Sequence, residues 1–365
     1  MAAQTPELPS TIKAWRFHTA AHGAHKHLQL EDIPMPEFNE KRLPPNSSLI
    51  KVLAATVNPI DVKMAGIPII GRFTQPMPAV VGRDASGIVV KTTDPSLRAG
   101  QLVACRLSEN QAPGVMAEYI VVPGNDKGAA AAVPAGVSAV QAATVGTTGA
   151  TALQAIARRY DLGKLDGGPR RIFINGGSGG TGTYQIQVAK ALGFHVTASC
   201  SGANAQLCRD LGADEVLDYK QAEPARALAE QVRAGSQPAY DLAVDNVGIS
   251  WERYRAADEF LAPGGVYVQV GIGFRWAELR SALRINCWPS WLGGGRRAWS
   301  FLSMRTDRAD MERVLGWMGE GKVKVPIDRE FEFGEVPQAY ETLLAGRARG
   351  KIVVRFPALE ENATA

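Results

Sequence analysis

The residues best suited to chemistry by type and spacing are Gly177-Ser178-Gly179-Gly180-Thr181-Gly182, which read G-x-G-x-x-G. They follow an apolar run, Ile172-Phe173-Ile174, and precede Tyr184, Ile186, Val188, Ala189 and Leu192, which recur at roughly helical spacing. A strand that turns through glycines straight into a helix leaves free N–H groups and the positive end of the helix dipole facing outward, an arrangement that binds a diphosphate. The first glycine turns tightly, the second lets phosphates come close, and the third lets helix pack on strand. The alternative is a glycine-rich turn with no ligand, and the flanking sequence weighs against it.

Those flanks repeat at βαβ intervals. A second apolar strand, His195 to Ser199, begins right after Gly193. Glu215-Val216-Leu217, Asp241-Leu242-Ala243-Val244-Asp245 and Val266-Tyr267-Val268-Gln269-Val270 follow, which predicts a doubly wound parallel sheet. Residues 11 to about 143 read differently. Trp15-Arg16-Phe17, Leu28-Gln29-Leu30, Leu49-Ile50-Lys51-Val52 and Ile88-Val89-Val90 are short strand candidates separated by proline- and glycine-rich turns, so a β-rich lobe is expected there. The small residues and hydroxyls of Ala142 to Leu153 begin a helix that bridges the lobes. Past the parallel sheet, a helix over about Met311 to Met318, an alternating strand through Ile327, Phe331 and Phe333, and a helix over Val336 to Leu344 lead to Gly350-Lys351-Ile352-Val353-Val354, a last strand expected to return to the first lobe.

Composition narrows the partners. With 45% hydrophobic and 21% charged residues the chain reads as a soluble globular protein, and 365 residues suffice for two cores. A net charge of +4, spread over scattered basic residues, is too small to argue for nucleic acid and suits anionic small molecules. Cys105, Cys200, Cys208 and Cys287 form no C-x-x-C pair, which argues against a disulfide framework and a four-thiolate zinc site. His22, His25 and His27 lack acidic or thiolate neighbours at ligand spacing and read as an exposed loop. The opening MAAQTPELPS has neither an apolar core nor a basic start, and no apolar run approaches the ~20 residues that span a bilayer, so the cytoplasm is expected.

The order of motifs resembles the medium-chain dehydrogenase/reductase superfamily, in its zinc-free quinone oxidoreductase and enoyl reductase branch. The resemblance runs from Trp15 to Val354. It rests on Val57-Asn58-Pro59-Ile60-Asp61-Val62-Lys63, Val81-Gly82-Arg83-Asp84-Ala85-Ser86-Gly87, the glycine turn, Leu211-Gly212-Ala213-Asp214-Glu215-Val216-Leu217-Asp218-Tyr219, and the closing Gly346 to Val354. It implies an α/β protein: a Rossmann doubly wound parallel sheet plus a GroES-like β-rich catalytic domain, with a cleft between them. The expected domains are residues 1–143 for the first part of the catalytic lobe, 144–307 for the NADP-binding lobe and 308–365 for the return. Zinc-dependent members are expected to carry a cysteine near the start of the segment held here by Ala55 to Asp61, a histidine where Gly82-Arg83 stands, and four clustered cysteines in the first lobe. This chain has none of these, and a catalytic zinc needs about three side-chain ligands, so no metal is expected.

Sites that prefer NAD place an acidic side chain about 20 residues past the glycines. Here that stretch is Ala198-Ser199-Cys200-Ser201-Gly202-Ala203-Asn204, with no carboxylate until Asp210. Ser199, Ser201 and Asn204 can donate to a 2′-phosphate or simply form a polar turn. Tyr219 and Lys220 resemble the aromatic and basic partners that NADP-dependent relatives use, although Tyr219 can also pack as a strand residue. The expected cofactor is NADPH, cradled by Gly177, Ser178, Gly179, Gly180, Thr181 and Gly182. The resemblance places Asn246, Val247, Val270 and Gly271 at its nicotinamide end, with Thr147 as a neighbour and Lys351 among the contacts.

The resemblance implies hydride transfer to an α,β-unsaturated carbonyl, leaving enolate charge on oxygen, or to a quinone. Asn58 through its amide and Lys63 through its ammonium can meet such charge, and Asp61 can orient Lys63 or satisfy backbone donors in a turn. Asn-Pro is also a turn signal, and Asp61 with Lys63 can be a solvated pair. Arg83-Asp84 reads as a structural ion pair. Alternatives of another kind are a tailoring enzyme of secondary metabolism and a redox-silent nucleotide-binding member. The expected partner is a small hydrophobic carbonyl or quinone, without firm membrane association, the chain being a monomer or homodimer. The segment from Trp276 to Trp299 holds four of the seven tryptophans, with Gly293-Gly294-Gly295 and Arg296-Arg297 among them; it can cover substrate, bury a subunit contact, attach peripherally to a membrane, since Trp with Arg suits an interface although no clean amphipathic period shows, or simply pack, the reading favoured here.

Overall fold

The computed structural model describes residues 8–63, 65, 77–108, 114–125, 128–158, 170–271, 273 and 275–357; the opening segment 1–7 and Ile272 lie outside them. The chain forms two compact units: residues 1–147 with 305–319 and 327–365, and residues 148–304 with 320–326. In chain order the first unit begins with β1 (Thr11–Phe17), β2 (Leu28–Pro34), β3 (Ser48–Thr56), the short helix α1 (Pro59–Lys63), β4 (Ala79–Val80), β5 (Asp84–Thr92), β6 (Leu102–Leu107), β7 (Tyr119–Val122), β8 (Gly128–Ala132) and α2 (Ala139–Ala142). A π-helical turn, Val145–Gly149, follows, and the boundary between the units falls inside it.

The second unit contains α3 (Ala150–Ala157), β9 (Arg171–Asn175), α4 (Gly180–Ala191), β10 (His195–Cys200), α5 (Ala205–Asp210), β11 (Glu215–Asp218), α6 (Pro224–Arg233), β12 (Tyr240–Asp245), α7 (Trp251–Phe260), β13 (Leu261–Gln269), α8 (Trp276–Cys287) and β14 (Ala298–Phe301). Its six strands are parallel and lie in the order β11-β10-β9-β12-β13-β14. Counted within the unit this is 3-2-1-4-5-6, the doubly wound order whose direction reverses between the first and fourth strands. All five residues of β9 are buried, as expected for a central parallel strand covered on both faces. Phe260 packs edge-on against both Phe173 and Tyr240 with centroids 5.9 and 6.0 Å apart, joining α7 to the sheet.

The chain returns to the first unit through α9 (Arg308–Gly319), β15 (Ile327–Glu332), α10 (Val336–Leu344) and β16 (Lys351–Arg355). There β16 pairs antiparallel with β3, so the last strand completes a seven-stranded sheet ordered β15-β16-β3-β5-β6-β8, with β7 also on β3; β2-β1-β4 form a smaller sheet. Ile50, Val52, Ala55, Ile352 and Val354 share this unit's apolar core. Between α9 and β15, residues 320–326 belong instead to the second unit, because the backbone of Lys324 is bound both ways by the Gln187 side chain, Oε1 accepting at 2.6 Å and Nε2 donating at 2.7 Å. The strand expected at Leu28–Leu30 extends to Pro34 because its ladder with β1 continues from Leu28↔Phe17 to Pro34↔Thr11. No helix among the described residues is long and apolar enough to cross a membrane.

Candidate active site

In the second unit, β9 delivers Asn175 to the turn at the carboxyl end of the sheet, and α4 starts five positions later at Gly180. A Cβ at Gly177 would lie 2.9 Å from the Ala198 Cβ, and one at Gly182 would be driven into the Gly176 carbonyl oxygen, so both positions are needed for helix–strand packing. Gly179 is different. Its φ is −78°, open to any residue, and a Cβ there would meet nothing nearer than the Gly176 oxygen at 3.6 Å. Nothing among the described residues requires a glycine at 179, whereas a ligand pressed against the backbone would. No side chain caps α4, which leaves its first N–H groups available to an anion.

Of the polar residues around this turn, Ser199 points inward. Its buried hydroxyl donates to Asn175 Oδ1 at 2.6 Å and accepts from the Gly176 N–H at 3.1 Å, bracing the turn rather than facing outward. Ser178 and Asn204 meet, Asn204 Nδ2 donating to Ser178 Oγ at 3.1 Å, while Asn204 Oδ1 is buried with no partner. A half-turn of that amide lets Ser178 donate to Oδ1 and frees the NH₂ for an acceptor from outside. Ser201 is half-buried and accepts the Asn204 N–H at its carbonyl. Tyr219 is 54% exposed and Lys220 is exposed, both just past β11.

Sequence reasoning missed Asp218 here. Register pairs Asp218 with Cys200, and a Cβ on Gly202 would lie 2.6 Å from Asp218 Oδ2. A carboxylate thus stands beside the Ser201-Gly202 turn, supplied by the neighbouring strand instead of the one searched. The signal was its place at the carboxyl end of the next parallel strand, level with the end of β10.

At the switch point between β9 and β12, the Asn246 N–H donates to the Asn175 carbonyl at 3.2 Å, and its side chain and the Gln185 amide bond each other at 3.1 and 2.7 Å. Val247 is 61% exposed beside it. Only a glycine fits at 271, where a Cβ would strike the Asn246 carbonyl, and Val270 donates its N–H to the Asp245 carbonyl at 2.8 Å. Asn246, Val247, Val270 and Gly271 are therefore brought together at the carboxyl ends of adjacent strands, where open α/β sheets take ligands.

The first unit holds a second polar centre, and it joins residues the sequence suggested for separate tasks. Asn58, at the start of α1, is 1% exposed; its Nδ2 donates to Asp84 Oδ2 at 2.8 Å and its Oδ1 accepts from Lys351 Nζ at 2.6 Å. Thr147 donates to Asp84 twice, through N–H at 2.9 Å and through Oγ at 2.8 Å, while Arg106 Nε donates to the same Thr147 Oγ at 3.2 Å and stands 3.8 Å from Asp84 Oδ1. A side chain at Gly146 would come within 2.5 Å of Asp84, so glycine lets the π-turn approach. Asp61 Oδ2 accepts from the Asn58 N–H at 2.8 Å and from the Tyr340 hydroxyl at 2.9 Å; its Oδ1 is buried without a partner. Asp61 thus satisfies a backbone donor, the second of its two sequence readings. Lys63, one turn on, is exposed and outside this network.

Burial shapes the charges. It pushes Asp61 up to about 7, with the Asp84 charge adding and the Asn58 N–H, Arg83 and Tyr340 opposing. It also raises Asp84, against Arg106, Lys351 and Thr147. Lys351, 4% exposed, is pulled by burial down to about 8 while Asp84 and Asp61 hold it up. Two groups of opposite type therefore change protonation close to neutral pH within one hydrogen-bonded set. Arg106 and Tyr340, each fully buried in it, were not distinguished by sequence from ordinary strand and helix residues, because their partners lie tens to hundreds of positions away. Among the described residues no cluster of three or more His, Cys, Asp or Glu is placed to hold a metal ion.

Comparison with known proteins identifies the family. Residues 44–134 match the alcohol dehydrogenase GroES-like domain and residues 211–354 the zinc-binding dehydrogenase model. The chain is 40% identical over 364 residues to the trans-enoyl reductase pgmF of Aspergillus terreus, covering 96% of this chain and 97% of that one. It is 33% identical to the mitochondrial NAD(P)H oxidoreductase RTN4IP1 of Mus musculus over 85% of this chain and 82% of that one. Among solved structures, the quinone oxidoreductase from Coxiella burnetii superposes with a TM-score of 0.75 at 26% identity, covering 94% of this chain and 99% of its own. The chain is an oxidoreductase of the medium-chain dehydrogenase/reductase superfamily and belongs to its enoyl reductase and quinone oxidoreductase branch.

Proposed function

We propose that the protein reduces the carbon–carbon double bond of an α,β-unsaturated carbonyl compound with NADPH, without a metal ion. The observation that carries the substrate class is the 40% identity to a trans-enoyl reductase over nearly the whole chain. A quinone is the second acceptor class, favoured by the likeness to the Coxiella quinone oxidoreductase. When bound, NADPH supplies the hydride.

The chain's own residues do the rest. Gly177, Gly179 and the N–H groups that open α4 hold the diphosphate, with Ser178, Ser201, Asn204, Tyr219 and Lys220 toward the 2′-phosphate. The contacts at Asn246, Val247, Val270 and Gly271 shape the floor for the nicotinamide. Lys63, exposed and cationic, is the donor for charge that develops on the substrate oxygen. Asn58, Asp61, Thr147 and Lys351 are positioning residues: they are bonded within the buried set that also holds Asp84, Arg106 and Tyr340, and they fix the geometry around it. Independence from zinc rests on residue types, since Ala55 to Asp61 and Gly82-Arg83 offer no thiolate or imidazole where zinc-dependent relatives are expected to carry them.

The test is cofactor consumption by the purified protein across a panel of enones and quinones, with NADPH and NADH compared on one substrate and metal content measured on the same sample. Enone-dependent oxidation that favours NADPH and survives a chelator is expected. Lys63→Met should lower kcat about tenfold or more with little change in NADPH affinity. Activity that follows stoichiometric zinc, or an unchanged kcat in the variant, contradicts the corresponding part.

A further inference from the structure

Twelve large hydrophobic side chains are exposed among the described residues, and six of them, Trp276, Leu279, Leu283, Trp288, Trp291 and Leu292, lie within one 17-residue stretch. Trp276 and Trp291 are 80% and 81% exposed, far beyond what a packed tryptophan shows. On α8 the spacing Trp276, Leu279, Leu283 is i, i+3, i+7, one face of a helix. The opposite side carries the buried Ser281 and Ile285, the latter packed on the unit's core. The helix is therefore apolar outward and only weakly so inward, which is why no clean amphipathic period stands out in the sequence.

Charge says what covers this face. Arg275, Arg280, Arg284, Arg296 and Arg297 accompany a single acid, Glu278, so the stretch carries a formal +4, equal to the net charge of the whole chain. Glu278 is turned away from solvent: its Oε2 accepts from the Arg275 N–H, and its carboxylate occupies the space that side chains at Gly248 and Gly273 would need. The outward surface thus offers indoles and leucines flanked by the exposed Arg275, Arg280, Arg284 and Arg296, while Arg297 turns inward and donates to the Asp258 carbonyl at 3.2 Å. A second copy of the chain meeting this face across a two-fold axis would bring +4 against +4. Two indoles that each project almost wholly into solvent need a partner that flows around them, and an anionic lipid surface is such a partner and also attracts the arginines.

We propose that α8 and the turn after it, Ser290–Leu292, form a docking surface for an anionic bilayer. The face begins where the chain leaves the carboxyl end of β13, the ligand end of the sheet, so docking would bring that end close to a membrane-dissolved molecule. The proposal is independent of the dinucleotide reading, because vesicle binding needs no cofactor.

Full-length protein is sedimented with phosphatidylcholine vesicles, with and without about 30 mol% phosphatidylserine, at about 0.1 M and 0.5 M NaCl. Binding only to the anionic vesicles at low salt is expected. Trp276→Ala/Trp291→Ala should lower the partition coefficient at least tenfold and Arg280→Gln/Arg284→Gln at least threefold, with thermal midpoints unchanged, since all four residues are exposed. Tryptophan fluorescence should be quenched by brominated lipid in the wild type and not in the double tryptophan variant. Absence of vesicle binding, indifference to phosphatidylserine, or equal binding by the folded tryptophan variant overturns the proposal. So does a concentration-dependent dimer that the tryptophan variant dissolves, which would make the face a subunit contact.

Discussion

Around Asp84 in the first unit, donors and acceptors are matched nearly one for one inside the protein; around Gly179 in the second, donors at a helix end and open space beside a backbone are left for something else to fill. The first arrangement is buried, charged and closed, and its partners come from the turn before α1, α1 itself, β5, β6, the π-turn, α10 and β16. The second is built from one strand–turn–helix and the strand ends beside it. The contrast teaches that polar residues in a site of this kind serve two ends. Where all the bonds are internal, a residue fixes geometry; where they are missing, it is open to a ligand.

The closed centre should break hardest. Asp84→Ala removes the acceptor shared by Asn58 and Thr147 and the counter-charge of Arg106 and Lys351, leaving buried donors with no partner. A loss of about 3–5 kcal/mol in unfolding free energy is expected by denaturant titration. A loss below about 1 kcal/mol would mean the cluster is solvated, and the contrast with Gly179 would disappear.

Proton linkage gives the next largest effect. Asp61 sits at about 7 in the fold against 3.8 ordinarily, so the folded state binds more protons than the unfolded one between those values. Its contribution is intact below about pH 4 and is lost as pH rises through 7, by roughly 4 kcal/mol. Lys351, lowered to about 8, acts in a separate window: the fold holds fewer protons there, and stability is regained between about pH 8 and 10.5. Asp94 and Asp214, held below the ordinary carboxylate range, change stability only at more acid pH. Asp61→Asn should flatten the decline between pH 4 and 7 while leaving the alkaline rise, as read by thermal midpoints across pH.

Gly179→Ala tests the open end. The added methyl has room in the protein and its φ suits alanine, so stability should hold within about 1 kcal/mol. NADPH affinity should nonetheless fall at least tenfold, about 1.4 kcal/mol, by calorimetry. Unchanged affinity would show that the glycine is there for the chain alone.

These two regions also differ in how much of them sequence could reveal. The glycine turn, the parallel strands and the return of the last strand were legible because each rests on local pattern: apolar runs, glycines at fixed offsets, period-2 or helical spacing. The fully buried hub was legible only in pieces. Asn58, Asp61, Thr147 and Lys351 were each marked, yet nothing local says that Lys351 reaches Asn58 across 293 positions or that Tyr340 reaches Asp61 across 279. Ser199 shows the converse: its type and position suit a phosphate contact, but strand alternation turns it into the protein, where it braces Gly176. Side-chain direction decided in both cases, and it depends on register and packing that single-sequence pattern does not carry.

Asp218 offers the smallest and finest test, because it lies at the border of the open site. It closes β11 opposite Cys200, accepts the Lys220 N–H at Oδ1 and points Oδ2 toward the Gly202 backbone. In the proposed cofactor site a carboxylate there would oppose a 2′-phosphate and tolerate a 2′-hydroxyl, while Asn204, Tyr219 and Lys220 on the same rim would favour the phosphate. The protein should therefore accept NADH as a poorer second cofactor rather than reject it. Asp218→Asn keeps the acceptor for the Lys220 N–H and removes the charge, and should raise the ratio of kcat/KM for NADPH over NADH about threefold, or ~0.7 kcal/mol. A ratio that stays the same would place Asp218 outside the cofactor's reach and leave the preference to Asn204 and its neighbours; a ratio that falls would mean the carboxylate serves the phosphate indirectly, by holding Lys220 in place.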